Sequence, residues 1–300
     1  MRALGLMLFP TAAFAQISGP KLGYVTQESS VRPVVGIPAV AGVGAALDLG
    51  RPFERIVAAP AQEYALGVVP DSGQVMRVSL TSGASTAVDG ASPRPRTILF
   101  STSGATALLQ FDNAIFQAVS ASGVRTLDFG FVGSNIAAAA VSDDGGWIAV
   151  TSGGSLWAIG PQGELRKVDT GFAATAIAFL AGRADLTIAG DGRIASISDL
   201  PGRADVRTIP TGQRHTALGI TPDNAKAVAV SDSGAVTLIS LQSGDAASVD
   251  CGCKPVGVLH LGRGIFRLTN LADGAFKIFD SGTGEVWFAP ESISTEGAAQ

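Results

Sequence analysis

The chain has 300 residues, 46% of them hydrophobic and 15% charged, with 38 glycines, 15 prolines and a formal net charge of −4. That apolar content is too high for a disordered chain, and the slightly acidic balance excludes attraction to nucleic acid or an anionic membrane through bulk charge. Abundant glycine and proline without long helical periodicity point to many short strands joined by tight turns, in one large all-β unit.

In chain order, residues 1–15 come first. They carry Arg2, an apolar run from Ala3 to Phe9, and an Ala13-x-Ala15 pattern before Gln16, the arrangement of a secretory signal peptide. An ordinary buried strand is the rival reading, and Pro10 interrupting a short run weighs against it. No later stretch reaches the roughly 18 apolar residues that a membrane helix needs. The expected organisation is therefore a signal peptide (1–15), a folded domain (16–290) and a polar tail (291–300), exported to the periplasm or secreted, monomeric, with no membrane span and no nucleic-acid partner.

From residue 50 onward three landmarks recur about every forty residues. The first is a hydrophobic-Asp-x-Gly ending, at Gly50, Gly90, Gly130, Gly171, Gly212 and Gly252, with IPTG replacing it at Gly212. The second is a turn glycine before a strand, at Gly73, Gly154, Gly192, Gly234 and Gly274. Asn113 fills the gap in that series, and asparagine is the residue that best replaces glycine at positive φ. The third is a turn glycine about ten residues later, at Gly83, Gly123, Gly163, Gly202, Gly244 and Gly284.

Between the landmarks lie four short strand-like runs per unit. One unit reads IAAAAV (136–141), WIAVT (147–151), SLWAI (155–159) and ELRKV (164–168). The first two runs are apolar and small, as in strands covered on both faces, and the fourth carries alternating charge. A forty-residue, four-stranded unit cannot bury both faces alone, so the copies must stack. The spacing predicts a single β-propeller of about seven four-stranded blades. A parallel β-helix is disfavoured because its repeats are much shorter.

Six complete copies run from residue 54 to 290. The leader aligns as a seventh: residues 19–26 as second strand, 30–37 as third and 44–50 as fourth, with the first supplied by residues 16–19 or by the tail after Pro290. A six-bladed ring with the leader packed outside is the alternative.

The segment VTLISLQSGDAASVDCGCKPVGVLHL resembles the repeat of YVTN-type and NHL-type propellers. Lys254-Pro255-Val256-Gly257 is similar to their blade-to-blade link, and Thr221-Pro222-Asp223-Asn224 and Ser142-Asp143-Asp144-Gly145 to their turn. The Gly-His and Trp-Asp pairs of WD-type repeats are missing. The likeness implies a ring whose ligands sit on its loop-bearing faces or in its central channel, and says little about activity.

Candidate site residues are few. Cys251 and Cys253 are the only cysteines. In an oxidising compartment they can close a small disulfide; two metal ligands alongside His215 or His260, or free thiols, are the other readings. His215 and His260, each in or beside an innermost strand, read first as structural. The nucleophile-elbow, H-E-x-x-H and phosphate-loop patterns are absent. The fourth-to-first connections carry Arg51, Arg94, Arg96, Arg214 and Lys254. The second-to-third connections, on the same face, carry Glu28, Asp71, Asp112, Asp191, Asp232 and Asp273. That mixture reads either as a solvated, mutually paired rim or as a surface for a partner. Asp48, Asp89, Asp128, Asp169 and Asp250 read as turn-holding residues.

These residues support a non-catalytic extracytoplasmic recognition or scaffold module, binding a protein, peptide or glycan on its loop face, with no cofactor. The alternative is a propeller enzyme of the lactonase or hydrolase kind with a metal held in the central channel. Inner strands rich in Ala, Ile, Val and Leu, with few inward carboxylates, favour the first.

Overall fold

The computed structural model describes residues 20–27, 29–133, 135–270 and 276–290. Its strands form seven antiparallel sheets, six of four strands and one of three. Sheet 1 holds Lys21–Gln27 (β1), Ser30–Ile37 (β2) and Val40–Val43 (β3). Sheet 2 holds Arg55–Ala58 (β4), Tyr64–Val68 (β5), Val75–Ser79 (β6) and Ser85–Ala87 (β7); sheet 3, Thr97–Phe100 (β8), Ala107–Gln110 (β9), Ile115–Ser120 (β10) and Gly123–Asp128 (β11). Sheet 4 holds Ala138–Val141 (β12), Ile148–Ser152 (β13), Ser155–Ile159 (β14) and Leu165–Asp169 (β15); sheet 5, Ala174–Phe179 (β16), Leu186–Gly190 (β17), Arg193–Ser198 (β18) and Asp205–Pro210 (β19). Sheet 6 holds His215–Ile220 (β20), Lys226–Ser231 (β21), Ala235–Ser240 (β22) and Ala246–Asp250 (β23); sheet 7, Leu259–Gly262 (β24), Ile265–Arg267 (β25), Phe276–Asp280 (β26) and Glu285–Ala289 (β27). The helical content among the described residues is two short 3-10 turns.

The sheets are the blades of one β-propeller. Each apolar face packs on its neighbour: Ala149, Leu156 and Ala158 of blade 4 form one core cluster with Phe179, Ile188 and Ile197 of blade 5. Sheet 1 is a true blade and not an outer appendage. Val25, Val34 and Val43 join the core of blade 7 on one side, and Tyr24 and Val31 join that of blade 2 on the other.

Blade 1 takes the alignment expected from the repeat. Lys21, Leu22 and Gly23 lie beside Pro60 and Gln62, where β4 has ended, so β1 runs opposite to the inner strands, as second strands do. Its fourth strand is β3, four residues earlier than expected, and the chain then stays hydrogen-bonded to β2 as far as Leu47, whose N–H donates to Val31 O at 2.8 Å. Among the described residues blade 1 has no first strand, and β1 borders the axis in its place. Both segments expected to supply that strand, 16–19 and the tail after Pro290, lie outside the described residues.

The turn landmarks behave as their chemistry demands. Asn113 adopts φ 58° and ψ 29°, the left-handed conformation that glycine takes at the equivalent turns. Four of the five recurring aspartates, Asp48, Asp128, Asp169 and Asp250, accept the N–H of the glycine two residues on, at 2.6–3.0 Å. Asp89 makes no such bond.

One expectation about burial is corrected. The second strands are the most covered, β17 throughout, and the fourth strands are wet, but the first strands are only half covered. The cause is an open axis: residues such as Ala178 and Leu218 face a central cavity rather than another sheet.

Candidate functional site

Two kinds of site are on offer, the axis and the loop-bearing faces. The inner strands of blades 2 to 7, together with β1, surround an axial cavity of about 300 Å³, the low end of the range for small-molecule sites. Alternation along each strand turns one row of side chains inward. The resulting wall is aliphatic, with Leu99, Ala139, Ala178, Leu218 and Leu259 among its members. Pro60, Gln62, Thr102, His260 and Leu261 border both this cavity and a wider depression on the face that carries the first-to-second connections, so the cavity has an approach from that side.

Polar groups at the axis are few and specifically placed. Gln62 sits on the β4–β5 connection at φ 61°, a left-handed conformation that costs a non-glycine residue about 1 kcal/mol or more. It uses both ends of its amide: Nε2 donates to His260 O at 2.9 Å, and Oε1 accepts the Tyr24 N–H at 2.5 Å. Arg267, at the end of β25, is 6% exposed and donates from Nη1 to Thr26 O at 3.1 Å. Both side chains thus hold backbone groups on the edge of β1 that a first strand pairs in the other blades. Burial pulls the Arg267 guanidinium down to about 10, which leaves it charged at neutral pH. Burial likewise brings the His260 imidazole down to about 4, so it is neutral there, with its ring 4.7 Å from that of Phe266.

Neither Gln62 nor Arg267 was among the candidates that the sequence supplied. Arg267 did leave a trace: it is a lone charge closing a second strand, where its counterparts end in Val68, Gln110, Gly190 or Ser231. Gln62 left none.

The five predicted basic residues do not line the cavity. Arg51, Arg94, Arg96, Arg214 and Lys254 are all exposed, on the opposite face, spread over four blade junctions. Arg94 Nη2 donates to the Asp71 carbonyl, and Arg214 lies 3.8 Å from Asp191 in the face's one ion pair among the described residues. The side chains of Arg51, Arg96 and Lys254 have no hydrogen-bond or ion-pair partner there. Glu28 and Asp273 lie outside the described residues. The face is therefore mostly solvated rather than mutually paired.

The cysteines and histidines do not converge on a metal. Cys251 and Cys253 are joined as a disulfide, with Cα atoms 5.1 Å apart at the hand-over from blade 6 to blade 7. His215 is fully buried, its Nε2 2.8 Å from Thr211 Oγ1, and does not border the cavity; burial lowers its pKa. No group of three or more His, Cys, Asp or Glu among the described residues is placed to hold a metal ion, and no Asp or Glu lines the cavity. The described lining therefore offers no carboxylate oxygens to a hard cation in the channel.

On the first-to-second face, hydrogen bonds between neighbouring blades form a belt. Tyr64 Oη donates to Gly104 O at 2.7 Å, linking blades 2 and 3. The Asp143 carboxylate accepts the N–H groups of Ser103 (3.0 Å) and Gly182 (2.6 Å), linking blades 3, 4 and 5. Asn224 exchanges two bonds with the Ala181 backbone, and Lys226 Nζ reaches Ser281 O at 2.8 Å. Gln62 completes the circuit through His260 and Tyr24.

Comparisons with known proteins place the fold and nothing finer. No family model matches the chain, and no curated protein matches it by sequence. The YVTN and NHL resemblance therefore stands on the motifs alone. Among solved structures, AztD from Citrobacter koseri in its apo form is similar over 90% of this chain and 94% of its own, with a TM-score of 0.57 and 12% identity. U3-55K is similar over 78% of this chain and 80% of its own, with a TM-score of 0.56 and 13% identity. At such identities the similarity shows that the chain shares the propeller fold with these two proteins, and nothing beyond the fold.

Proposed function

We propose that this protein is an exported, non-catalytic recognition or scaffold module that binds a protein, peptide or glycan across the face of its fourth-to-first connections. The observation that carries the reading is the unspent charge there: Arg51, Arg96 and Lys254 project into solvent without side-chain partners. Val256, two residues from Lys254, is 54% exposed. Cations interspersed with exposed apolar side chains suit a partner with an acidic or hydroxyl-rich surface. The disulfide at Cys251 and Cys253 supports export, because such bonds persist in oxidising compartments.

The metal-dependent enzyme of the alternative reading is disfavoured by the lining of the axial cavity, which is mostly aliphatic and holds no carboxylate among the described residues. Co-purification from the native envelope fraction tests the first reading when the triple variant Arg51→Glu/Arg96→Glu/Lys254→Glu is run beside the wild type. The proposal expects a stoichiometric partner, released by moderate salt and missing from the variant. A partner retained equally by both proteins overturns it.

A further inference from the structure

The axial cavity holds a positive charge that no described residue neutralises. Arg267 is more than nine-tenths buried, yet among the described residues its one hydrogen-bond partner is a neutral carbonyl, that of Thr26. A guanidinium carries five N–H donors in a rigid fork, and a buried charge without a counter-ion costs several kcal/mol. Arg267 also borders the cavity, and its four remaining N–H donors have no hydrogen-bond partner among the described residues. Around that charge the wall is hydrocarbon from several blades, Leu99, Ala178, Leu218 and Leu259 included.

We propose that the axial cavity binds a small carboxylate with an apolar tail, its carboxylate on the Arg267 guanidinium and its tail against the aliphatic wall. The fork of an arginine matches the two oxygens of a carboxylate. One arginine balances one negative charge, which fits a monocarboxylate better than a phosphate dianion. A polar sugar or nucleotide would leave its hydroxyl and ring nitrogens unpaired against Leu and Ala side chains. The size of the cavity limits the ligand to a short hydrocarbon acid or the last two or three residues of an apolar peptide. Both present the same chemistry, and entry is from the first-to-second face, past Gln62 and Thr102. This site lies apart from the loop face assigned above, and its success or failure is independent of that assignment.

Isothermal titration of the whole protein with octanoate, octanol and the acetylated tripeptide Ala-Val-Leu tests the site. Octanoate or the tripeptide should bind at one site per chain, and the tighter of the two identifies a free acid or a chain terminus as the natural source. Octanol should bind about tenfold more weakly or worse, as expected when a charge-assisted hydrogen bond is lost. Arg267→Met should weaken the carboxylate by a similar factor and erase the preference over octanol. Should that variant fail to fold, Ala178→Phe fills the cavity while leaving Arg267 in place, and should abolish binding. The proposal is overturned if neither carboxylate binds, if octanol binds as tightly as octanoate, or if a folded Arg267→Met or Ala178→Phe protein binds like the wild type. In those cases Arg267 serves only to cap the edge of β1.

Discussion

Gln62 and His260 stand 198 positions apart in the sequence, and the Gln62 side-chain amide donates to the His260 carbonyl oxygen at 2.9 Å. Its other end takes the Tyr24 N–H, so one side chain ties blades 1, 2 and 7 together where the ring closes. A propeller is only as stable as that closure, since every other blade is already joined to its neighbour through the chain.

Replacing Gln62 with leucine keeps the volume but strands a donor on Tyr24 and an acceptor on His260. The expected loss is about 2 kcal/mol, the scale of leaving two partly buried backbone groups unpaired. Gln62→Glu keeps the acceptor for Tyr24 and should fall between leucine and wild type. Urea unfolding reads this as a lower midpoint at unchanged slope. A shift under about 0.5 kcal/mol for Gln62→Leu, the size of an ordinary surface substitution, would show that the closure does not depend on this residue.

Asp143 does for blades 3 to 5 what Gln62 does at the closure. Burial pushes its carboxyl up, but hydrogen bonds from the Ser103 and Ser101 side chains and from the Ser103 and Gly182 N–H groups outweigh that and hold it below the ordinary carboxylate range. A depressed carboxyl contributes stability that is present above its unfolded value and lost as pH falls through its folded one. Asp143→Ala should therefore cost about 2 kcal/mol at pH 7, and the difference from wild type should shrink below pH 3.8, the unfolded reference. A difference that stays constant down to pH 2 would contradict the carboxylate's role.

What the sequence revealed and what it concealed divide along the range of the interactions. Four blade boundaries were legible because each is written locally, by an Asp bonding a glycine two residues on, and the turn inside blade 3 by Asn113 taking a left-handed conformation. Counting left seven blades or six open, and the packing of sheet 1 against blades 7 and 2 decides for seven, with β1 and β2 in the expected register and β3 four residues early. Half-covered first strands were misjudged, because a run such as ATAIAF looks the same whether its inward row meets another sheet or an open axis. Gln62 and Arg267 depend on partners far away in sequence, His260 and Thr26, and no local pattern encodes a meeting that only ring closure creates. Arg51, Arg96 and Lys254 were placed on the right kind of loop, yet their position says nothing of the cavity that opens toward the other face.

The bond between Cys251 and Cys253 closes too short a loop to constrain the unfolded chain much. Chain-entropy reasoning gives about 1.5 kcal/mol for so small a ring. Cys251→Ser/Cys253→Ser should lower stability by no more than that and leave the fold intact. Iodoacetamide treatment of unfolded protein should label neither cysteine without reductant and both after it. Labelling of both in unreduced protein purified from its native compartment would eliminate the bond.

His260 makes the protein sensitive to mild acid. Its folded-state pKa is about 4 against an ordinary 6.5, because burial disfavours the imidazolium. The unfolded chain therefore binds more protons than the folded one between those values, and stability must rise with pH across that window. Full benefit is present above 6.5 and is lost progressively as pH falls toward 4, by roughly 2 kcal/mol at pH 5. No carboxylate among the described residues lines the cavity to offset the charge, and Arg267 borders it with a charge of the same sign. His215, also lowered by burial, acts in the same direction from its separate site beside Thr211. His260→Gln should thus flatten the dependence between pH 7 and pH 5 without abolishing it, the remainder tracing to His215. Urea midpoints for wild type and variant at those two values decide the matter: parallel losses would mean that His260 takes up its proton equally well in the folded and unfolded protein.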